Sequence, residues 1–122
     1  MEIREGTGSR VLLNIKENDI REGVGSRVIC NIKRGDVREG TGSRVFMNVT
    51  SKDICKGTGT RALYSFKGDE VREYPSGKVL FNISGKYIRQ GTGSRVLYNV
   101  TGRLDHVELA AVLYVLDEID IP

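Results

Sequence analysis

The chain has 122 residues, enough for one compact domain, and a core of that size needs no metal or disulfide. Its formal net charge of +3 is mildly basic, well short of a dedicated nucleic-acid-binding domain. The segment after Met1 is charged and no run of about 18 apolar residues exists, so we expect no signal peptide and no membrane interaction.

A 17-residue repeat organises the chain from residue 3 to residue 104. Six units follow one another without insertion, beginning at Ile3, Ile20, Val37, Ile54, Val71 and Ile88. An unbroken period indicates structurally equivalent units. In the third unit, residues 37–39 and 44–49 have strand composition, residues 40–43 read Gly-Thr-Gly-Ser, and a second turn is centred on residues 51–52. The repeat predicts six β-hairpins joined as a meander of about twelve short strands.

The charges beside the glycine turn predict the hairpin register. A symmetric turn places Glu39 opposite Arg44, and opposite charges favour that pairing. The same positions hold Glu5 and Arg10, Glu22 and Arg27, and Glu73 and Lys78. Strict alternation then assigns Val45, Met47 and Val49 to the core face, and Phe46 and Asn48 to a second, half-buried face.

Two architectures are compatible with such a repeat. A β-solenoid would stack the repeated arginines at about 4.8 Å, where like charges repel. A ring of hairpins spreads them apart and removes the exposed sheet edges. We therefore predict an all-β, closed, flower-like ring, with the β-solenoid as the alternative.

Residues 105–119, DHVELAAVLYVLDEI, predict one C-terminal helix. Asp105 is a good N-cap, and Glu108 completes a capping box. The helix is apolar almost all round, so it either plugs the ring or forms an interface with a second chain. Ring and helix together make a single domain, residues 1–122.

The fourth and fifth units depart from the pattern. Cys55 and Lys56 replace arginine and glutamate, and Tyr74-Pro75-Ser76-Gly77 replaces the glycine turn. Pro75 suits the second position of a type I or II turn. Tolerated variation at loop tips is the simpler interpretation. The alternative is a distinct contact surface that comprises Cys55, Lys56, Tyr74, Pro75 and Lys78.

Catalytic and cofactor chemistry find little support in the sequence. The glycine turn lacks the spacing of a phosphate-binding loop and precedes a strand rather than a helix. His106 is the only histidine, and no second base lies near it in sequence. Cys30 falls at a core position, whereas Cys55 is expected to be more accessible. We expect two free thiols in a reducing cytoplasm, no metal, no cofactor and no enzymatic activity.

The units IRQGTGSRVLYNV (88–100) and IREGTGSRVLLNI (3–15) resemble repeats of small bacterial β-flower proteins. The resemblance covers residues 3–104 and implies a ring of β-hairpins without an established activity. It brings no catalytic residues. The family is described with fourfold symmetry, whereas this chain has six units.

These features together favour a non-enzymatic structural or protein-interaction module that self-associates or binds a protein partner. A second hypothesis is a polyanion or nucleic-acid binder that uses Arg10, Arg27, Arg44, Arg61 and Arg95. The facing glutamates argue against it, because they neutralise much of that charge. A carbohydrate-binding module is a further alternative, although the chain has no tryptophan.

Overall fold

The computed structural model describes all 122 residues. Its elements are β1 (Glu2–Glu5), β2 (Val11–Lys16), β3 (Asp19–Glu22), β4 (Val28–Lys33), β5 (Asp36–Glu39), β6 (Val45–Val49), β7 (Asp53–Lys56), β8 (Ala62–Lys67), β9 (Glu70–Glu73), β10 (Val79–Ser84), β11 (Tyr87–Gln90), β12 (Val96–Val100) and α1 (His106–Val115). Each strand pairs antiparallel with the next, and β12 pairs with β1, so the sheet closes into a barrel. The predicted ring of six hairpins with one helix is confirmed, and the solenoid alternative is wrong.

Two kinds of turn alternate around the ring. Because neighbouring strands are antiparallel, the turns within the hairpins all lie at one end of the barrel, which we call the tip end. The short turns between hairpins lie at the opposite, base end. No helix of the protein is long and apolar enough to cross a membrane.

The glycine turns have the predicted register. In the third unit the backbone N–H of Glu39 donates to the carbonyl of Arg44 over 2.9 Å, and Gly40 has a φ of 50° that favours glycine. The side chains of Glu39 and Arg44 lie 3.5 Å apart. Equivalent ion pairs measure 3.8 Å in the first unit and 3.6 Å in the second. Exposed pairs of this kind contribute little stability, so their main effect is to neutralise charge.

A β-bulge in every hairpin changes which residues reach the core. In the first unit Ile3 pairs with Leu13 but Arg4 pairs with Val11, which leaves Leu12 as an extra residue. Leu12 packs against the core, whereas Val11 is half-buried and lies outside the core cluster. The predicted strict alternation is therefore wrong at these two positions. The same inward packing is found for Ile29, Phe46, Leu80 and Leu97.

Helix α1 lies in the lumen of the barrel. Ala110, Ala111, Val112 and Leu113 are fully buried, and four consecutive helical residues cover every side of a helix. They join the inward-facing strand residues in one core cluster. The predicted capping box is present, with 2.7 Å between Glu108 N and Asp105 Oδ1 and 3.0 Å between Asp105 N and Glu108 Oε1. Of the two roles expected for the helix, the structure shows the internal plug.

The helix ends at Val115, earlier than the predicted residue 119. Asp117 has a φ of 59°, which turns the chain out of the helix and across the tip-end mouth. We call residues 116–122 the C-terminal strap. Tyr98 Oη donates to Glu118 Oε2 over 3.0 Å, and Tyr64 Oη exchanges two hydrogen bonds with the backbone of Asp120. The predicted helix is too long because Leu116, Ile119 and Ile121 of the strap are apolar for a different reason: they pack against the core from this mouth.

A column of asparagines links each unit to the next. Asn14 Nδ2 donates to the carbonyl oxygens of Gly23 and Gly25, over 2.7 and 3.2 Å. Equivalent bonds are made by Asn31, Asn48, Asn82 and Asn99. The exception is Ser65, whose neighbouring turn is the irregular one at Tyr74. There the Tyr74–Pro75 peptide bond is cis, which differs from the expected type I or II turn.

Candidate functional site

The helix is off-centre in the lumen, and this leaves a cleft. Helix α1 packs against β4, β5 and β6. Between the helix and strands β8 to β12, a cleft of about 690 Å³ opens at the base end. Its apolar wall consists of Phe66, Val71, Ile83, Ile88, Val100, Leu104 and Leu109. We call this space the base-end cleft.

Charged side chains surround the mouth of the base-end cleft. Asp69, Lys86 and Arg103 occupy the same position of three consecutive repeats, and the Asp105 and His106 side chains join them from the start of α1. The carboxylate of Asp105 is used in the capping box. Glu70, also at the mouth, is engaged by the guanidinium of Arg72 in a close ion pair.

Three charged groups at the mouth have no partner within the protein. No hydrogen bond or ion pair engages the side chains of Asp69, Lys86 or Arg103, although the Lys86 ammonium lies 5.4 Å from the ring of Tyr87. The His106 ring packs against Phe66 in a tilted arrangement, with 4.4 Å between ring centroids, and its ring nitrogens make no hydrogen bond. These free polar groups above an apolar wall are available to a ligand.

His106 lies in the cleft with Asp69, Glu70 and Asp105, which is the arrangement that would revive a catalytic interpretation. No hydrogen bond joins the imidazole to any of the three carboxylates, and no serine, threonine or cysteine lines the cleft. The nucleophile and base of covalent catalysis need to be within hydrogen-bond reach of one another. The cleft therefore lacks the nucleophile–base pair of covalent catalysis.

A second cavity lies at the tip end, under the C-terminal strap. It measures about 380 Å³ and includes Cys30, Phe46, Tyr114 and Ile119 in its lining. Cys30 is fully buried, as the sequence predicts, and burial together with the nearby Asp19 raises its pKa to about 12. The strap and the tilted ring pair of Phe46 and Tyr114, with centroids 5.2 Å apart, close this end of the lumen.

The five predicted polyanion contacts all lie exposed at the tip end. Arg10, Arg27 and Arg44 each have a glutamate partner, as described above. Arg61 and Arg95 have none within ion-pair distance. Binding of a polyanion by these side chains stays a prediction, but the structure divides them into a neutralised and an unpaired group.

The predicted irregular contact surface is exposed except at Cys55. Lys56, Pro75 and Lys78 are exposed, and Tyr74 is 52% exposed. The expected accessibility of Cys55 is wrong, because only 6% of it is exposed: its side chain is shorter than the arginine of the other units and does not extend past its neighbours. Burial and the nearby Asp53 raise the pKa of the Cys55 thiol.

The base-end cleft itself was not predicted. Its signal in the sequence is the position occupied by Asp69, Lys86 and Arg103, which carries a charge in four consecutive units but asparagine or glycine in the first two. Charge at one turn is common at a protein surface, and only the position of the helix makes this stretch the border of a cleft.

The whole repeat region and the helix match one protein family. Residues 3–116 match the model of a family described as "6-fold beta flower protein". Searches among curated proteins and among solved structures found no match.

Proposed function

The chain belongs to the 6-fold β-flower family, and we propose that it is a non-enzymatic binding module that holds a small molecule in the base-end cleft. The observation that carries the proposal is the cleft itself. Its volume of about 690 Å³ falls in the range of ligand-binding pockets, roughly 300–1,000 Å³. It combines an apolar wall with a few unpartnered polar groups, which is the usual composition of such pockets.

The lining indicates the chemistry of the ligand. The apolar wall suits a hydrophobic body, and the mouth suits a charged group. Among the unpartnered side chains, Lys86 and Arg103 outnumber Asp69, and the positive end of the α1 dipole lies at the same mouth. These features favour an amphipathic molecule with an anionic head group.

A fluorescent anion with an apolar body, anilinonaphthalene sulfonate, tests this proposal. We expect saturable binding to the folded protein, lost on Ile83→Phe because the larger ring fills the cleft. Phe66 shows that this repeat position accepts phenylalanine, and Ile32→Phe makes the same change outside the cleft. Circular dichroism and thermal unfolding would verify that both variants fold.

The anionic head group is tested separately by Lys86→Gln. We expect binding about tenfold weaker, the loss of one charge-assisted contact. Lys52→Gln is the matched control, because Lys52 occupies the same repeat position outside the cleft. Equal binding by the folded Ile83→Phe and Ile32→Phe proteins contradicts the cleft as the site. Equal binding by Lys86→Gln and Lys52→Gln contradicts only the anionic head group.

The remaining expectations stay predictions. Self-association would have to use one end of the barrel or its outer face, because α1 is buried and the sheet has no free edge. Light scattering of the purified chain would measure it. The two free thiols support the expected cytoplasmic location. Carbohydrate binding has gained no specific support.

A further inference from the structure

The charge of the tip end is unevenly distributed around the ring. In each of the first three units an arginine lies beside a glutamate at 3.5–3.8 Å. In the fourth and sixth units the glutamate is replaced by Lys56 and by Gln90. In the fifth, the Glu73 carboxylate accepts a hydrogen bond from Ser76 and forms no ion pair with Lys78.

The last three units therefore have a surplus of positive charge. We call the four side chains Lys56, Arg61, Lys78 and Arg95 the cationic arc. All four are exposed, none has an ion-pair partner, and Glu73 is the one carboxylate at the corresponding hairpin positions. The surplus of three equals the net charge of the whole chain, +3, whereas the first three tips are neutral.

The arc is continuous in space. The hairpins β7–β8, β9–β10 and β11–β12 are neighbours in the barrel, and their tips lie at the same end. Each hairpin occupies two strand widths, so the three tips span about 20 Å from the first to the last. Tyr74, in the middle tip, is 52% exposed and is the one large aromatic side chain exposed on the protein.

We propose that the cationic arc and Tyr74 bind a single strand of nucleic acid, with phosphates on the cations and a base stacked on the tyrosine. Proteins that bind single strands combine a positive track with aromatic side chains on which bases stack. In a duplex the base faces are already stacked on one another, so no base face is free to stack on Tyr74. An acidic peptide would use the cations but leave the aromatic ring without a role.

The acidic groups of the C-terminal strap define the inner border of this surface. Asp117, Glu118 and Asp120 lie at the tip-end mouth, and Glu118 is held there by Tyr98. Their negative charge repels phosphate from the mouth of the barrel. The strand is thus confined to the outer arc of the tips, on the side of units four to six.

Fluorescence anisotropy with a labelled oligothymidylate of about 20 nucleotides tests the proposal at low and moderate salt. The double variant Lys56→Glu/Gln90→Glu introduces the glutamate that the first three units carry at this position. Because the repeat already accepts glutamate there, we expect the variant to fold like the parent. We expect it to weaken binding more than about tenfold and to flatten the salt dependence. Tyr74→Ala is expected to weaken binding about tenfold at unchanged salt dependence.

The matched control is Arg27→Gln, which removes one cation from a tip in the neutral half of the ring. We expect its affinity to be unchanged within about twofold, since the second unit lies across the ring from the fifth and is not part of the arc. The proposal is overturned if the double variant, folded by circular dichroism, binds like the parent. It is also overturned if a duplex of equal charge binds as tightly, or if polyglutamate competes as well as the oligonucleotide, which would assign the arc to acidic peptides.

Discussion

Asn99 joins the end of the ring to its beginning, with its side-chain amide 2.8 Å from the carbonyl oxygen of Gly6. The same amide reaches the carbonyl of Gly8 over 3.0 Å. Four other units make this contact between neighbours in the chain, but here it spans more than 90 residues. Asn99 is also the most buried member of the column, at 6% exposure. The asparagine contact that elsewhere fixes the turn of the next unit thus also helps to close the barrel.

Replacing Asn99 with alanine is expected to lower the free energy of unfolding by about 1–3 kcal/mol, because the buried side chain and two part-buried hydrogen bonds are lost. Urea denaturation measures this. Ser65→Ala is the control at the equivalent position, where no asparagine bond exists, and its effect should stay within about 0.5 kcal/mol. Equal losses in the two variants would contradict a role of the amide in stability.

Asp36→Glu should stabilise the protein. In the first and fifth units the Arg4 and Arg72 Nε atoms bond a glutamate two residues earlier. The Nε of Arg38 is buried without a partner, since the shorter Asp36 stands at that position. We expect a gain of about 0.5–1.5 kcal/mol from the new hydrogen bond. The reverse change, Glu70→Asp, should cost a similar amount in the same chemical denaturation experiment.

The two glycines of each turn should differ in their tolerance of a side chain. Gly23 has a φ of 55°, and alanine there is expected to cost about 1–2 kcal/mol. Gly25 lacks a positive φ, and an added Cβ would lie 3.4 Å from the Glu22 carbonyl, an ordinary contact. Gly25→Ala should therefore be nearly neutral. Thermal unfolding of the two variants compares them directly, and the opposite order would contradict the turn geometry.

The buried Cys30 predicts a loss of stability in alkali. Its pKa rises from 9.0 in the exposed thiol to about 12 in the folded protein, chiefly by burial and further by Asp19. The unfolded chain releases this proton first, so the contribution to stability is complete below pH 9 and disappears between pH 9 and 12. Denaturation at several pH values should show a shallower decline for Cys30→Ala than for the parent. Identical slopes would show that the thiol does not titrate as inferred.

The period and the charge pairs were sufficient to predict the strands, the ring and the opposition of Glu39 and Arg44. They could not predict the bulge that brings Leu12 inward, because strict alternation assumes equal numbers of residues on both strands. The burial of Cys55 depends on neighbouring strands rather than on its own sequence context. The base-end cleft depends on where α1 settles in the lumen, and an all-apolar helix carries no stripe that would indicate its orientation.

The internal position of α1 has a consequence for the order in which the protein folds. All strand pairings except β1–β12 join neighbours in the chain, so hairpins can form one after another during synthesis. Their apolar inner faces, however, lack a packing partner until the helix, encoded after the last strand, has left the ribosome. Unlike an open array in which each repeat is stabilised by its predecessor, this chain reaches its stable packing only once the helix that follows all six repeats has been synthesised.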